Sequence, residues 1–347
     1  MKNMNFDALS RFLKSLEENR LPSCEMTVFC GGREVFAYKK ADLPRYLAYS
    51  LTKPVTCALA LKLFERGEFT LDDRLSDFIP EFRDMTVSET LPSGEKRLRP
   101  AKRDILLRDL FTMTAGFSYD VGALKQANTL EAVKGLSERP LLFDPGAHWN
   151  YSLCHDVLGA VIEVITGKKL RTALKDEITR PLGMKNTCFL GETDGDISPL
   201  YDAKTGRQLP SDRRFTPSND YDSGGAGLVT TLYDYAAFTD ALLNGGIVGK
   251  HTFTLMTEDF LTDINRADFN WPQVRGYGYG LGVRTLVNRA AAGSPSPLKE
   301  AGWGGVSGTY SLMDAQNGIS AVFMTHVLGT SETYLFPRLR NILYSCI

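Results

Sequence analysis

The chain of 347 residues has no long hydrophobic run: charges, glycines and prolines interrupt every apolar stretch before the roughly 18 residues a membrane span requires. No membrane partner is expected. It also lacks a dominant charge, with 40 Lys+Arg against 41 Asp+Glu and a formal net charge of −1. With no global positive field to hold a polyphosphate backbone, nucleic acid is not an expected partner either. Cysteine is sparse and unpatterned: Cys24, Cys30, Cys57, Cys154, Cys188 and Cys346 form no CxxC pair and read as reduced, mostly buried thiols. The four histidines, His148, His155, His251 and His326, show no HExxH or paired-ligand spacing, so no metal is expected. A G-x-S-x-G elbow is missing, which argues against an α/β-hydrolase. Gly224-Gly225-Ala226-Gly227 lacks the G-x-G-x-x-G spacing of a dinucleotide fold, so no organic cofactor is expected. The first twenty residues carry Lys2, Arg11, Lys14, Glu17, Glu18 and Arg20 and no apolar h-region, from which a cytoplasmic protein without a signal peptide is expected.

What is present is an ordinary globular composition, 43% hydrophobic and 23% charged, long enough for a sizeable core. Phe6, Leu9, Phe12, Leu13 and Leu16 recur at helical spacing and predict an amphipathic N-terminal helix. Met26 to Cys30 and Glu34 to Tyr38 read as a hairpin turned at Gly31-Gly32. A helix from about Lys53 to Arg66 follows, stopped by Gly67. The polar stretch from Thr86 to Arg103 reads as an exposed loop or hairpin, and helices such as Cys154 to Thr166 and Leu232 to Leu243 fill most of the middle. Strands return at Tyr277 to Leu286, Thr309 to Met313 and Ile319 to Thr325, before a closing helix from about Glu332 to Leu343. The expected fold is α+β: an antiparallel sheet flanked by helices and built from both termini, with an all-helical insertion. Residues 1–75 and 275–347 would form a discontinuous α/β domain and 76–274 a mainly helical one, with the site in the cleft between them.

Three elements could carry chemistry. Ser50-Leu51-Thr52-Lys53 is an S-x-x-K string at a helix start, where positions i and i+3 share a face and backbone N–H groups favour negative charge on the hydroxyl. Ser93-x-x-Lys96 and Ser296-x-x-Lys299 match the string but lie in Pro/Gly-rich turns. For Lys53 to act as a base, its surroundings must depress its pKa. Tyr151, ending the Pro145-Gly146 turn just before a helix, can point its phenol into a cleft and pass protons. Trp303-Gly304-Gly305-Val306 places paired glycines where a ligand can approach the backbone, and the next N–H can form half of an oxyanion hole.

Together these elements resemble the serine β-lactamase and penicillin-binding-protein-like hydrolases, most closely the esterases related to class C β-lactamases, the family VIII carboxylesterases. Tyr49 to Thr56, followed by Leu63-Phe64-Glu65-Arg66-Gly67 and Leu71-Asp72-Asp73, is similar to that family's nucleophile helix and the segment after it. Leu107 to Gly116 is similar to its "RDLLTHTSG" stretch, with Met113 and Ala115 in place of the usual His and Ser. Trp149-Asn150-Tyr151-Ser152 resembles its tyrosine motif, and Ser223 to Leu228 a further segment, read as structural.

The resemblance implies a β-lactamase/transpeptidase-like fold and an acyl-enzyme mechanism. Ser50 would be the nucleophile, Lys53 would take its proton, and Tyr151 would assist as base and then return a proton to the leaving group, either of the two serving as principal base. The N–H groups of Ser50 and Val306 would hold the oxyanion, worth about 3 kcal/mol each, beside Trp303, Gly304 and Gly305. Where β-lactamases carry Lys-Thr-Gly this chain has Trp303-Gly304-Gly305, removing the cation that pairs with a substrate carboxylate. Leu153 replaces the Asn of their Tyr-x-Asn motif. The expectation is a serine hydrolase of small carboxylic esters. An acyltransferase, or an amidase, β-lactamase or D-peptidase-type hydrolase, is the alternative on the same scaffold, and a non-catalytic penicillin-recognising homologue the third reading. The sequence does not address oligomeric state.

Overall fold

The computed structural model describes residues 4–40, 44–124, 127–193, 195, 197–210 and 212–347. Its centre is a seven-stranded, wholly antiparallel sheet in the order Tyr277–Tyr279, Arg284–Leu286, Ala301–Gly302, Tyr310–Asp314, Ile319–Met324, Glu25–Cys30, Arg33–Tyr38. Both chain ends meet in it, because Glu25 pairs with Met324 and Cys30 with Ile319. Gly31 and Gly32 take φ of 57° and 76°, the left-handed pair that a two-residue hairpin needs.

Successive residues of a strand face opposite sides of a sheet, and two cores form accordingly. On the outer face Leu312, Ala321 and Phe323 pack with Leu9, Leu13 and Leu16 of helix Asp7–Asn19 and with Leu335, Phe336 and Leu339 of helix Glu332–Ser345. On the inner face Met313, Val322 and Met324 join a larger core containing the helices Thr52–Glu65, Cys154–Thr166 and Leu232–Leu243. Helix Thr52–Glu65 is apolar on nearly every side because it lies inside this core.

The run expected as one strand from Tyr277 to Leu286 is two, Tyr277–Tyr279 and Arg284–Leu286, folded back on each other. The cause is a glycine turn pressed on the core. A Cβ on Gly280 would lie 2.2 Å from the Met256 carbonyl oxygen, and one on Gly282 (φ 86°) 2.3 Å from Cys57 Sγ. The polar stretch from Thr86 is a hairpin, Thr86–Thr90 with Lys96–Pro100. The middle of the chain also carries short strands among its helices. One of them, Leu228–Thr230, sits between Tyr46–Leu47 and Cys188–Phe189 and so fixes the backbone just ahead of Ser50. Among the described residues no helix is long and apolar enough to cross a membrane.

Candidate active site

Ser50 occupies the tight turn Tyr49–Leu51 that runs directly into helix Thr52–Glu65. The first N–H groups of such a segment have no partner within the helix, so they are available to a ligand beside the hydroxyl. Tyr49 holds φ at 45°, a left-handed conformation that costs free energy in a bulky residue. Its phenol donates to Asp212 Oδ2 at 2.9 Å, anchoring the turn from outside.

Lys53 lies one turn on and is fully buried. Its ammonium donates to Ser50 Oγ at 3.3 Å and to the Gly225 carbonyl oxygen at 2.7 Å. Tyr151 donates to the same Ser50 Oγ at 2.6 Å. The tyrosine is delivered by its neighbour: Asn150 donates from its backbone to Met113 O at 3.0 Å and from its side chain to Phe117 O at 2.9 Å. The Trp303 indole N–H completes the cluster, donating to Tyr151 Oη at 3.3 Å.

Trp303 to Val306 approach Ser50 because two glycines leave room. A Cβ on Gly305 would meet Thr309 Oγ1 at 2.2 Å and the Ala48 carbonyl oxygen at 2.8 Å, and one on Gly304 would meet the Phe336 ring at 3.0 Å. The Gly305 N–H is used internally, donating to Thr309 O at 2.9 Å. Val306 stands at the tip of the following turn, 44% exposed. Ser50, Tyr151, Trp303, Gly304 and Val306 all line one pocket of about 190 Å³, with Trp271, Val274 and Phe336 adding apolar walls. Lys53 sits behind Ser50, outside that lining, and Gly305 supports the wall from beneath.

Several residues at the site were not anticipated from the sequence. The double glycine of Ser223 to Leu228, read as structural, supplies the Lys53 acceptor; a Cβ on Gly225 would meet Asp156 Oδ2 at 2.6 Å and Lys53 Nζ at 3.5 Å. Asp156 is buried beneath it, accepting from Ser223 Oγ at 2.6 Å and Tyr221 Oη at 2.9 Å. Tyr119 lies beside Tyr151, ring centroids 5.2 Å apart, and 5.5 Å from the Lys53 ammonium.

Burial works to push the Lys53 ammonium down, but Tyr119, Tyr151 and Asp156 outweigh it and hold the group above its ordinary value. This is opposite to the depression that a resting lysine base requires. Burial raises the Asp156 carboxyl, with hydrogen bonds and Lys53 as partial offsets, and raises Tyr119 to about 12. His155, fully buried against Phe111 O and Cys57 Sγ, is pushed down to about 3 by burial and by Lys53, and is a neutral packing residue. Cys154, next to it, is likewise buried. Among the described residues no group of three or more His, Cys, Asp or Glu side chains is placed to hold a metal ion.

A hydroxyl shared by an ammonium and a phenol stands at a helix start in a β-lactamase/transpeptidase-like fold, an antiparallel sheet flanked by helices, and the relatives that share the family mark the chain as a serine hydrolase. The chain belongs to the Beta-lactamase family, whose model matches residues 11–343. It is 30% identical to Esterase EstB of Burkholderia gladioli over 317 residues, 80% of this chain and 76% of that one. Its fold matches EstCE1, "a hydrolase with promiscuous acyltransferase activity", at TM-score 0.82 and 23% identity, covering 97% of this chain and 98% of the other. Simvastatin synthase (LovD6 mutant) from Aspergillus terreus matches at TM-score 0.82 and 20% identity, covering 99% and 98%.

Proposed function

We propose that this protein is a serine ester hydrolase that works through an acyl-enzyme on Ser50. The observation that carries the reading is the shared oxygen: Ser50 Oγ lies 2.6 Å from Tyr151 Oη and 3.3 Å from Lys53 Nζ at the wall of a largely apolar pocket. The reactive form is the one in which Tyr151 has first given its own proton to solvent; Ser50 Oγ then attacks the ester carbonyl while its proton passes along the short contact to the Tyr151 phenolate oxygen. The Lys53 ammonium and the Trp303 N–H stabilise the phenolate before the transfer and again when Tyr151 gives the proton up. Backbone N–H groups of Ser50 and Val306 receive the oxyanion. Collapse breaks the ester C–O bond, the leaving alkoxide takes the proton from Tyr151, and water repeats the sequence to release the acid. In this assignment Tyr151 is the proton carrier and Lys53 the fixed charge, which accords with the direction of the Lys53 shift.

The same reading takes 1–75 with 275–347 as one domain, 76–274 as the other and the site in the cleft between them; it is supported by a pocket lining that draws Ser50 and Trp303 from the first and Tyr151, Trp271 and Val274 from the second. A cytoplasmic setting belongs to the same reading, supported by six cysteines that are all free thiols. Trp303 in place of a lysine favours neutral esters over lactams and peptides carrying a carboxylate. Acyl transfer is the second reading, favoured by the apolar walls of Trp271, Val274 and Phe336, where an organic acceptor can displace water from the acyl-enzyme.

The test is intact-protein mass spectrometry with a fluorophosphonate and turnover of p-nitrophenyl esters, in wild type and Ser50→Ala. Adduct and turnover confined to wild type uphold the proposal. Wild-type turnover by pure Ser50→Ala protein sinks it. Release of acid against release of acyl-acceptor product separates hydrolysis from transfer.

A further inference from the structure

The pocket that exposes Ser50 and Tyr151 has an acidic side chain in its lining, Glu332, at the first turn of the C-terminal helix. Gln273 donates to its Oε2 at 3.1 Å, and no lysine, arginine or histidine among the described residues forms an ion pair with it. Two guanidiniums also line the pocket, Arg284 paired with Glu300 and Arg340 held, among the described residues, by hydroxyls alone, but they are only 4% and 2% exposed, whereas Glu332 is partly exposed. Arg284 donates to Glu300 Oε1 at 2.9 Å and Tyr310 Oη at 2.7 Å, and Arg340 to Ser294 Oγ at 3.2 Å and Tyr310 Oη at 3.3 Å. Lys53 is spent on Ser50 and Gly225.

Among the described residues, no charged group on the elements packed around Glu332 pairs with it. The turn Pro272–Val274 brings uncharged Gln273, with Arg275 after it. Helix Asp7–Asn19 carries Arg11, Lys14, Glu17 and Glu18, with Lys14 paired to Glu18 and Glu17 to Lys40, and the Arg20 that follows lies 3.9 Å over the Tyr334 ring, as does Arg338 of Glu332's own helix. Burial accordingly raises the Glu332 carboxyl to about 7, with the Gln273 hydrogen bond as the offset. A carboxylate withdrawn from water without a cation is costly, and a cation arriving with the ligand removes that cost.

We propose, on the ester-hydrolase reading above, that Glu332 selects substrates by charge: esters whose acyl or alcohol part ends in an ammonium group are taken in preference to uncharged ones, and carboxylate-bearing ones are disfavoured. The site has lost a cation at Trp303 and presents an anion at Glu332, so its charge selectivity is inverted relative to a carboxylate-binding site.

Three p-nitrophenyl esters of matched length test this: 4-(trimethylammonio)butanoate, its uncharged isostere 5,5-dimethylhexanoate, and the glutarate monoester. The quaternary ammonium does not titrate, so any pH dependence of the kcat/KM ratio between the first two reports the protein. The expected ratio is about tenfold in favour of the cation at about pH 8.5, declining toward unity at about pH 5.5, and near unity throughout in Glu332→Gln. The glutarate ester should show the opposite trend. A wild-type ratio that does not move with pH, or one equal in wild type and Glu332→Gln, overturns the proposal. If none of the three esters turns over, the hydrolase reading falls by itself. Charge selection is then read without turnover, from quenching of Trp271 and Trp303 fluorescence by butyltrimethylammonium. Binding about fivefold weaker to Glu332→Gln upholds Glu332 as the selector, and equal binding overturns it.

Discussion

The Trp303 indole and the Tyr151 phenol are joined twice: the N–H donates to the phenol oxygen at 3.3 Å, and the rings lie 22° from parallel with centroids 5.9 Å apart. Trp303→Phe keeps most of the ring packing and removes the donor. Because the donor stabilises the phenolate that must accept the Ser50 proton, kcat on a neutral ester should fall about tenfold with KM little changed. A rise in KM at constant kcat would make Trp303 a wall of the pocket and nothing more.

Gly225 tests the anchoring of Lys53. Gly225→Ala forces a Cβ to within 2.6 Å of Asp156 Oδ2, which must move, and the loop with it. The expected result is a stability loss of about 1–3 kcal/mol and a fall in kcat of about a hundredfold or more, larger than that stability loss alone explains at temperatures where the protein is folded. Denaturant midpoints measured beside steady-state kinetics separate the two effects.

Glu300 holds a buried charge network beneath the pocket. It accepts from Arg284 at 2.9 Å and from Tyr277 Oη at 2.6 Å, with Arg284 4% and Glu300 0% exposed. Glu300→Ala leaves a buried guanidinium without its carboxylate and should destabilise the fold by about 3–5 kcal/mol. Glu300→Gln, which keeps the shape and part of the hydrogen bonding, should cost less. Equal losses would mean that the charge contributes nothing.

Two buried histidines set the acid limit. His155 is held down to about 3 and His326 to about 4, in both cases chiefly by burial, whereas an unfolded histidine titrates near 6.5. The unfolded chain therefore binds more protons between those values. The contribution is fully present above about pH 6.5 and is lost as the pH falls toward 4 and then 3, at about 1.4 kcal/mol per pH unit for each histidine. Urea midpoints at about pH 7.5, 5.5 and 4.5 measure it. His155→Phe, wherever it folds, should flatten the decline by roughly half over that range.

Local pattern and long-range contact divided what could be read beforehand. Ser50 and Lys53 were legible because the i, i+3 relation is fixed by helix geometry alone, and Tyr151 and Trp303 because a Pro-Gly turn and a Gly-Gly pair announce special backbone. Helices Cys154–Thr166 and Leu232–Leu243 followed from apolar spacing within their own segments. The direction of the Lys53 shift was not legible, since it depends on Tyr119, Tyr151 and Asp156, which only folding brings to it. Gly225 and Glu332 were missed for the same reason: neither stands in a motif whose spacing mentions Ser50. The turn inside Tyr277 to Leu286 was hidden by β-rich composition on both sides of glycines whose role becomes visible only against Met256 and Cys57.

The pairing of Glu25–Cys30 with Ile319–Met324 has a consequence for how the molecule is made. Thr325 Oγ1 donates to Ser23 O at 2.8 Å across 302 positions of sequence, and Asn5 N–H reaches Cys346 O at 3.2 Å. The turn bearing Ser50 and the segment from Trp303 to Val306 are thus brought together through pairings between strands far apart in sequence, contacts whose loop closure is slow, so assembly of the candidate site depends on completing the sheet.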